Sequence, residues 1–164
     1  LQEPPRPNLY SLVARNYLDQ FGLARSREAS LTTSRDIVAA IQQGLTEELP
    51  ERGIIDSILE VKTINRARAL TIARTEVGLA SSAAEKEIAD NIVAESRDEF
   101  VKTWLTAQDP RVRDIHAEVN DVTIPYHGLF QVGPDNMHGP RDPMASPGNV
   151  INCRCSLAIT RVGR

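Results

Sequence analysis

Two cysteines one residue apart, Cys153-Arg154-Cys155, and the histidine at His116 are the side chains best suited to chemistry in this sequence. His116 lies four residues after Val112 and three before Val119, so on a helix it shares their inward face. Two further histidines, His127 and His138, fall between it and the cysteines. One or two imidazoles with two thiolates make an acceptable zinc ligand set. A one-residue gap between thiolates suits a single ion poorly unless the backbone bulges there, so two buried thiols without metal are the competing reading. A disulfide is disfavoured, because residues i and i+2 of a strand lie roughly 6.5–7 Å apart. That is at or beyond the Cα limit of a relaxed bridge. A Cys–His nucleophile pair can also be drawn from His116 with Cys153 or Cys155. Thiols set among aliphatic side chains have raised pKa values, which opposes thiolate chemistry.

A second group of residues is charged. Arg74, Thr75 and Glu76 are flanked by Ile72, Ala73 and Val77, so at least one charge should face packed surface. An isolated buried charge is costly, and Asp109, Arg113 and Asp114 are the natural partners. A structural network of Arg74, Glu76, Asp109 and Arg113, with Trp104 beside it, is therefore expected; a solvated charged face is the plainer alternative. Lys62, Arg66, Arg68 and Arg74 fall in a window from Val61 to Thr75 that holds no acid. Such a window could meet phosphate or an acidic partner. It is equally a solvated face balanced downstream by Glu76, Glu85, Glu87 and Asp90.

The elements that must position these groups change character near residue 96. Before it the stripes are helical: Leu9, Leu12, Val13, Tyr17 and Phe21, with Gly22 as a stop; then Val38, Ile41, Leu45 and Leu49, ended by Pro50. Thr33 and Ser34 offer caps for the second of these, and Ile54, Ile58 and Val61 form a third stripe. From about Ile64 to Asp90 the chain is Ala-rich with no proline, which predicts one long helix. From Phe100 to Thr106 alternation predicts a strand. Asp109-Pro110 reads as a helix N-cap and first position, the helix running to about Asn120. Short strands are expected at Val122–Ile124 and Leu129–Val132, and an irregular Pro/Gly loop between Gly133 and Gly148. A last strand would carry Ile151, Cys153, Cys155, Leu157 and Ile159 on one face. The fold class expected is α+β: a helical region over residues 1–95 and a small α+β domain over 96–164.

Composition narrows the function further. With 164 residues, 41% hydrophobic and 25% charged, the chain can bury an ordinary core without disulfides. A formal charge of −3 excludes binding of nucleic acid through bulk positive charge, and 4% aromatics argue against a stacking platform. There is no apolar run long enough to span a membrane and no signal-peptide core. Opening at Leu1 rather than Met is what a processed or trimmed product would show. Gly-rich phosphate loops, the Gly-x-Ser-x-Gly elbow and the His-Glu-x-x-His helix are missing, so no enzyme is expected.

Taken in order, the motifs resemble a known family. Arg66-Ala67-Arg68-Ala69 and Ile72-Ala73-Arg74-Thr75-Glu76-Val77 are followed by Lys102-Thr103-Trp104. Then come Asp109-Pro110-Arg111-Val112-Arg113-Asp114-Ile115-His116, Phe130, the Pro/Gly loop and Asn152-Cys153-Arg154-Cys155. This series resembles the Mu F-like minor head proteins of tailed phages, from about Thr32 to the last strand. One departure is Asn120-Asp121, where the family more often has an Asp-Gly turn. The resemblance implies a virion protein present in few copies, made in the bacterial cytoplasm and located inside the head near the portal. Its partners would be the portal protein, other capsid proteins and packaged DNA, with no membrane and no small-molecule substrate. The role implied is head morphogenesis, DNA packaging or delivery. The alternative from the residues alone is a metal- or thiol-dependent hydrolase-like domain built on His116, Cys153 and Cys155, with zinc as the cofactor.

Overall fold

The structure is a computed structural model and describes residues 9–21, 31–61 and 65–162. The chain divides into two compact units, residues 1–85 and 86–164. The division falls inside a long helix, whereas the change of sequence pattern near residue 96 marks that helix's end.

The first unit is helical: α1 (Leu9–Phe21), α2 (Leu31–Thr46), α3 (Glu51–Glu60) and the greater part of α4 (Arg66–Glu95). Its core gathers Val13, Ala14 and Leu18 from α1, Ile37 and Ile41 from α2, and Ile54, Ile55 and Ile58 from α3. Ala69, Ala73, Ala80 and Ala84 of α4 join them. Their spacing puts these alanines on one face, and small side chains let neighbouring backbones approach closely. Asn65 caps α4, its Oδ1 accepting from the Arg68 N–H at 2.9 Å.

Details of the expected helices shift. Thr33 and Ser34 lie inside α2 rather than capping it, because the helix already begins at Leu31. Leu12 and Phe21 are exposed, and α1 buries Val13, Ala14 and Leu18 instead. The Val38, Leu45 and Leu49 stripe packs against the buried core of this same unit, so it is largely covered within the unit. The readings at Gly22, Lys62 and Ile64 lie outside the described residues.

Close approach of α2 and α3 gives a first test. A Cβ on Gly44 would lie 2.6 Å from Ile54 Cγ1. Alanine favours helix over glycine by about 1 kcal/mol. Overpacking of this kind costs about 1–3 kcal/mol, so Gly44→Ala should destabilise on balance. A denaturation midpoint equal to or above wild type would show slack between the two helices.

The second unit is built on an antiparallel sheet in the order β2-β1-β5, with β1 (Phe100–Leu105) between β2 (Thr123–Pro125) and β5 (Ser156–Arg161). Phe100 pairs with Arg161 and Leu105 with Ser156 along the full length of β1. Lys102 and Trp104, two residues apart and therefore on one face, are both fully buried. A hairpin of β3 (Phe130–Val132) and β4 (Asp135–Met137) and two one-turn helices, α5 (Asp114–Ala117) and α6 (Pro147–Val150), complete the unit.

Three expectations are corrected here. The helix opened by Asp109-Pro110 shrinks to α5. Val112 N–H closes a turn on the Asp109 carbonyl, and Arg113 is extended (φ −69°, ψ 145°), so the helix begins afresh at Asp114. The Pro/Gly segment is not wholly irregular, since it contains β4 and α6. Gly133 has φ +55° at the first position of a two-residue turn, a conformation suited to a tight hairpin. The last strand starts at Ser156, so Ile151, Cys153 and Cys155 precede it. Asn152 is left-handed (φ 56°), which breaks strand geometry between α6 and β5. Asp121 is left-handed as well (φ 60°), a conformation that glycine adopts at less cost.

Candidate functional site

His116, Cys153 and Cys155 converge in the second unit. Their ligand atoms all lie within 4.8 Å of one another. His116 Nδ1 is 3.4 Å from Cys155 Sγ and 3.8 Å from Cys153 Sγ. The three residues are 1%, 2% and 4% exposed, and both thiols are free. The left-handed Asn152 and the irregular backbone from 153 to 155 let side chains at i and i+2 turn to one point. A regular strand would have held them farther apart.

Three arginines fix the segment that carries the cysteines. Arg113 Nη2 donates to the Ile151 carbonyl at 2.6 Å, and Arg141 Nη1 donates to the Cys155 carbonyl at 2.7 Å. Arg154, between the two cysteines, makes a bidentate pair with Asp109 in the loop before α5. The middle residue of Cys-Arg-Cys thus joins the cysteine segment to the lead-in of the histidine helix.

This pair holds the Asp109 carboxyl well below the usual carboxylate range, Arg154 being the main cause and the Arg111 N–H the next. A depressed pKa contributes stability above the unfolded value, near 3.9, and the contribution is lost as pH falls through the folded value. Asp109→Asn should therefore melt below wild type at pH 7, the difference vanishing in strong acid. Equal melting temperatures at pH 7 would show the pair to be inert.

The hydrogen bonds around His116 fix its tautomer. Asn149 Nδ2 donates to the Val132 carbonyl at 3.1 Å and to Asp135 Oδ2 at 2.7 Å. With its amine end committed to two acceptors, its Oδ1 must be the atom facing His116 Nε2, 3.1 Å away. Nε2 therefore carries the proton, and the Nδ1 lone pair faces the two sulfurs. Asp135 is itself held by the backbone N–H and hydroxyl of Ser146 at 2.9 and 2.6 Å.

The two thiols shift one another in opposite directions. A hydrogen bond from Cys155 draws the Cys153 pKa down against burial, with help from His116. Hydrogen bonding to Cys153, burial and the Cys153 charge push Cys155 up. Trp104 packs edge-on against His116 at 5.5 Å and Phe130 at 5.4 Å. Its indole N–H is buried without a conventional partner, and it favours the Cys155 thiolate.

A second buried centre escaped the sequence reading. Lys102 Nζ lies 3.1 Å from His138 Nδ1 and over the rings of Tyr126 and Phe130, at 5.6 and 5.7 Å. Tyr126 donates to Asp90 at 2.7 Å, and Asp90 pairs with Lys86. His138 thus belongs to Lys102, and His127 is exposed against the Tyr126 ring, so neither joins the cysteine cluster. Lysine on a strand reads as solvent-facing; only the aromatic residues distant in sequence mark it as buried.

The other expected site residues are described within each unit. In the first unit Glu76 is buried and Arg74 half-buried. Asp109 and Arg113 are engaged by Arg154 and the Ile151 carbonyl. Arg66 and Arg68 are exposed on the first turn of α4, Arg66 pairing with Asp56 at 3.3 Å, and Lys62 lies outside the described residues.

Residues 32–158 match the family model described as Phage Mu protein F like protein. The chain belongs to this family. The match runs from the start of α2 into β5 and includes Lys102, Trp104, His116, Asn149, Cys153 and Cys155. Membership makes the chain a protein of the phage head-morphogenesis type. No curated protein and no solved structure matches it closely enough to count as similar.

Proposed function

We propose that this protein is a minor component of the phage head that acts at the portal vertex, inside the capsid, by binding rather than by turnover. The observation that carries the reading is the family match over residues 32–158. Burial of His116, Cys153 and Cys155 supports it, since a substrate would have to displace packed side chains to reach them. The hydrolase-like alternative needs a reachable nucleophile or metal-bound water, and the cluster is closed on the side chains described.

The partners are the portal protein and neighbouring capsid proteins; packaged DNA is a secondary contact through Arg66, Arg68 and the adjoining Lys62 and Arg74. Among the described residues no helix is long and apolar enough to cross a membrane. Co-expression with the portal protein tests the assignment. A complex that survives size exclusion at moderate salt is expected, and it should persist when the arginines at 66 and 68 are changed to glutamine. Failure to associate with the portal, together with hydrolysis that Cys153→Ser or Cys155→Ser abolishes, would replace the assembly reading by the enzymatic one.

A further inference from the structure

Beyond the assembly role, and independently of it, the His116 cluster has the attributes of a metal site. We propose that His116 Nδ1 and the thiolates of Cys153 and Cys155 bind one zinc ion, which ties α5 to the segment between α6 and β5.

Geometry comes first. With zinc–sulfur bonds of about 2.3 Å and zinc–nitrogen bonds of about 2.0–2.1 Å, tetrahedral ligation separates nitrogen from sulfur by about 3.5 Å. The two N···S separations are 3.4 and 3.8 Å. Both nitrogen–sulfur separations are thus close to what an ion requires, and the two sulfurs lie within 4.8 Å of one another.

The surroundings point the same way. A metal-binding imidazole usually donates its other ring N–H to a fixed acceptor, which selects the tautomer with a free lone pair. Asn149 plays that part for His116, and it is held in turn by Asp135 and the Val132 carbonyl. Trp104 supplies a second, separate sign: a fully buried N–H with no conventional partner, beside the sulfur of Cys155. A thiolate held by metal gives that N–H an acceptor. Two thiolates buried side by side repel one another, and a divalent cation neutralises both. Imidazole and thiolate donors with no carboxylate among them favour zinc over magnesium or calcium.

Binding displaces the thiol protons to solvent, one from each neutral thiol, and creates two metal–sulfur bonds and one metal–nitrogen bond. Three protein ligands leave the fourth position of the ion to a water enclosed with them, since all three side chains are buried. Because the ligands come from α5 and from residues 153–155, the ion acts as a cross-link between parts of the chain about forty residues apart.

The test uses the full chain, expressed with zinc in the medium and purified without chelator. Elemental analysis should find about one zinc per chain. Cobalt substitution should give the sulfur-to-metal charge-transfer band of thiolate ligation and the visible bands of a tetrahedral site. Cys153→Ser with Cys155→Ser should lose both signals, and His138→Ala should keep them. Asn149→Ala retains the ligands but loses their positioning, and it should weaken metal affinity by about 10–100-fold. If the double variant does not fold, the wild-type thiols decide: they should react with a disulfide reagent only after a strong chelator is added. Less than a tenth of a zinc per chain with no cobalt charge-transfer band would overturn the proposal. So would thiols that react equally with and without chelator, or equal zinc in wild type and a folded double variant.

Discussion

Replacing Lys102 by methionine is expected to make the protein more stable at neutral pH, by about 1–4 kcal/mol. Lys102 is fully buried on β1, and among the described residues its ammonium meets the imidazole of His138 at 3.1 Å rather than a carboxylate. Burial lowers its pKa to about 8, Lys86 adds to the effect, and Asp142 and Asp90 oppose it. Methionine fills similar volume beside Tyr126 and Phe130 without a charge to desolvate. The pH dependence identifies the cause. Between about 8 and the ordinary lysine value near 10.4, the folded state binds fewer protons than the unfolded state, so wild-type stability rises with pH. The lysine penalty is fully present below pH 8 and fades above it. The difference between Lys102→Met and wild type should therefore be widest near pH 7 and should shrink towards pH 10. A variant less stable than wild type at pH 7 would mean that the charge is well satisfied and that Lys102 holds the fold together.

Trp104→Ala should have the largest destabilising effect in the second unit, about 3–5 kcal/mol. The ring fills the centre of the unit, edge-on to both His116 and Phe130, on the strand that pairs with β2 and β5. Its removal leaves a cavity bordered by the imidazole and Cys155, whose positions then relax. Denaturant unfolding followed by circular dichroism, together with the reactivity of the two thiols, measures both consequences. A loss below about 1 kcal/mol would show that neighbouring side chains collapse into the space. Trp104→Phe keeps much of the volume but removes the N–H. It should recover most of the stability while leaving Cys155 without that donor.

The helical stripes were legible because each first-unit helix buries one face, and the recurrence of Ile41, Ile54 and Ile58 records that burial directly, although the stripe begun at Val38 passed over the fully buried Ile37. Strand β1 was legible for the same reason at the other period. Boundaries set by side-chain hydrogen bonds were not. Asp109 satisfies a helix N-cap pattern locally, yet its carboxylate is taken by Arg154, forty-five residues later, and the helix starts at Asp114 instead. Hairpin β3–β4 was hidden by the prolines around it, although Gly133-Pro134 between Val132 and Asp135 is a turn signature.

The candidate site divides in the same way. His116 was visible from its spacing against Val112 and Val119, and the cysteine pair from its rarity in the chain. The left-handed Asn152 that aims both thiols at one point leaves no periodic trace. Nor do Asn149 and Asp135, which orient the imidazole from a segment expected to be an irregular loop. Lys102 and His138 are thirty-six residues apart and meet only once β1 and the segment after β4 are folded.

Particles offer the most direct measurement of the central claim, that this chain is a working part of a phage head. Portal-containing procapsids and mature heads, purified separately and examined by quantitative mass spectrometry, should each contain the protein in a few copies. Its absence from both would contradict a structural role in the head.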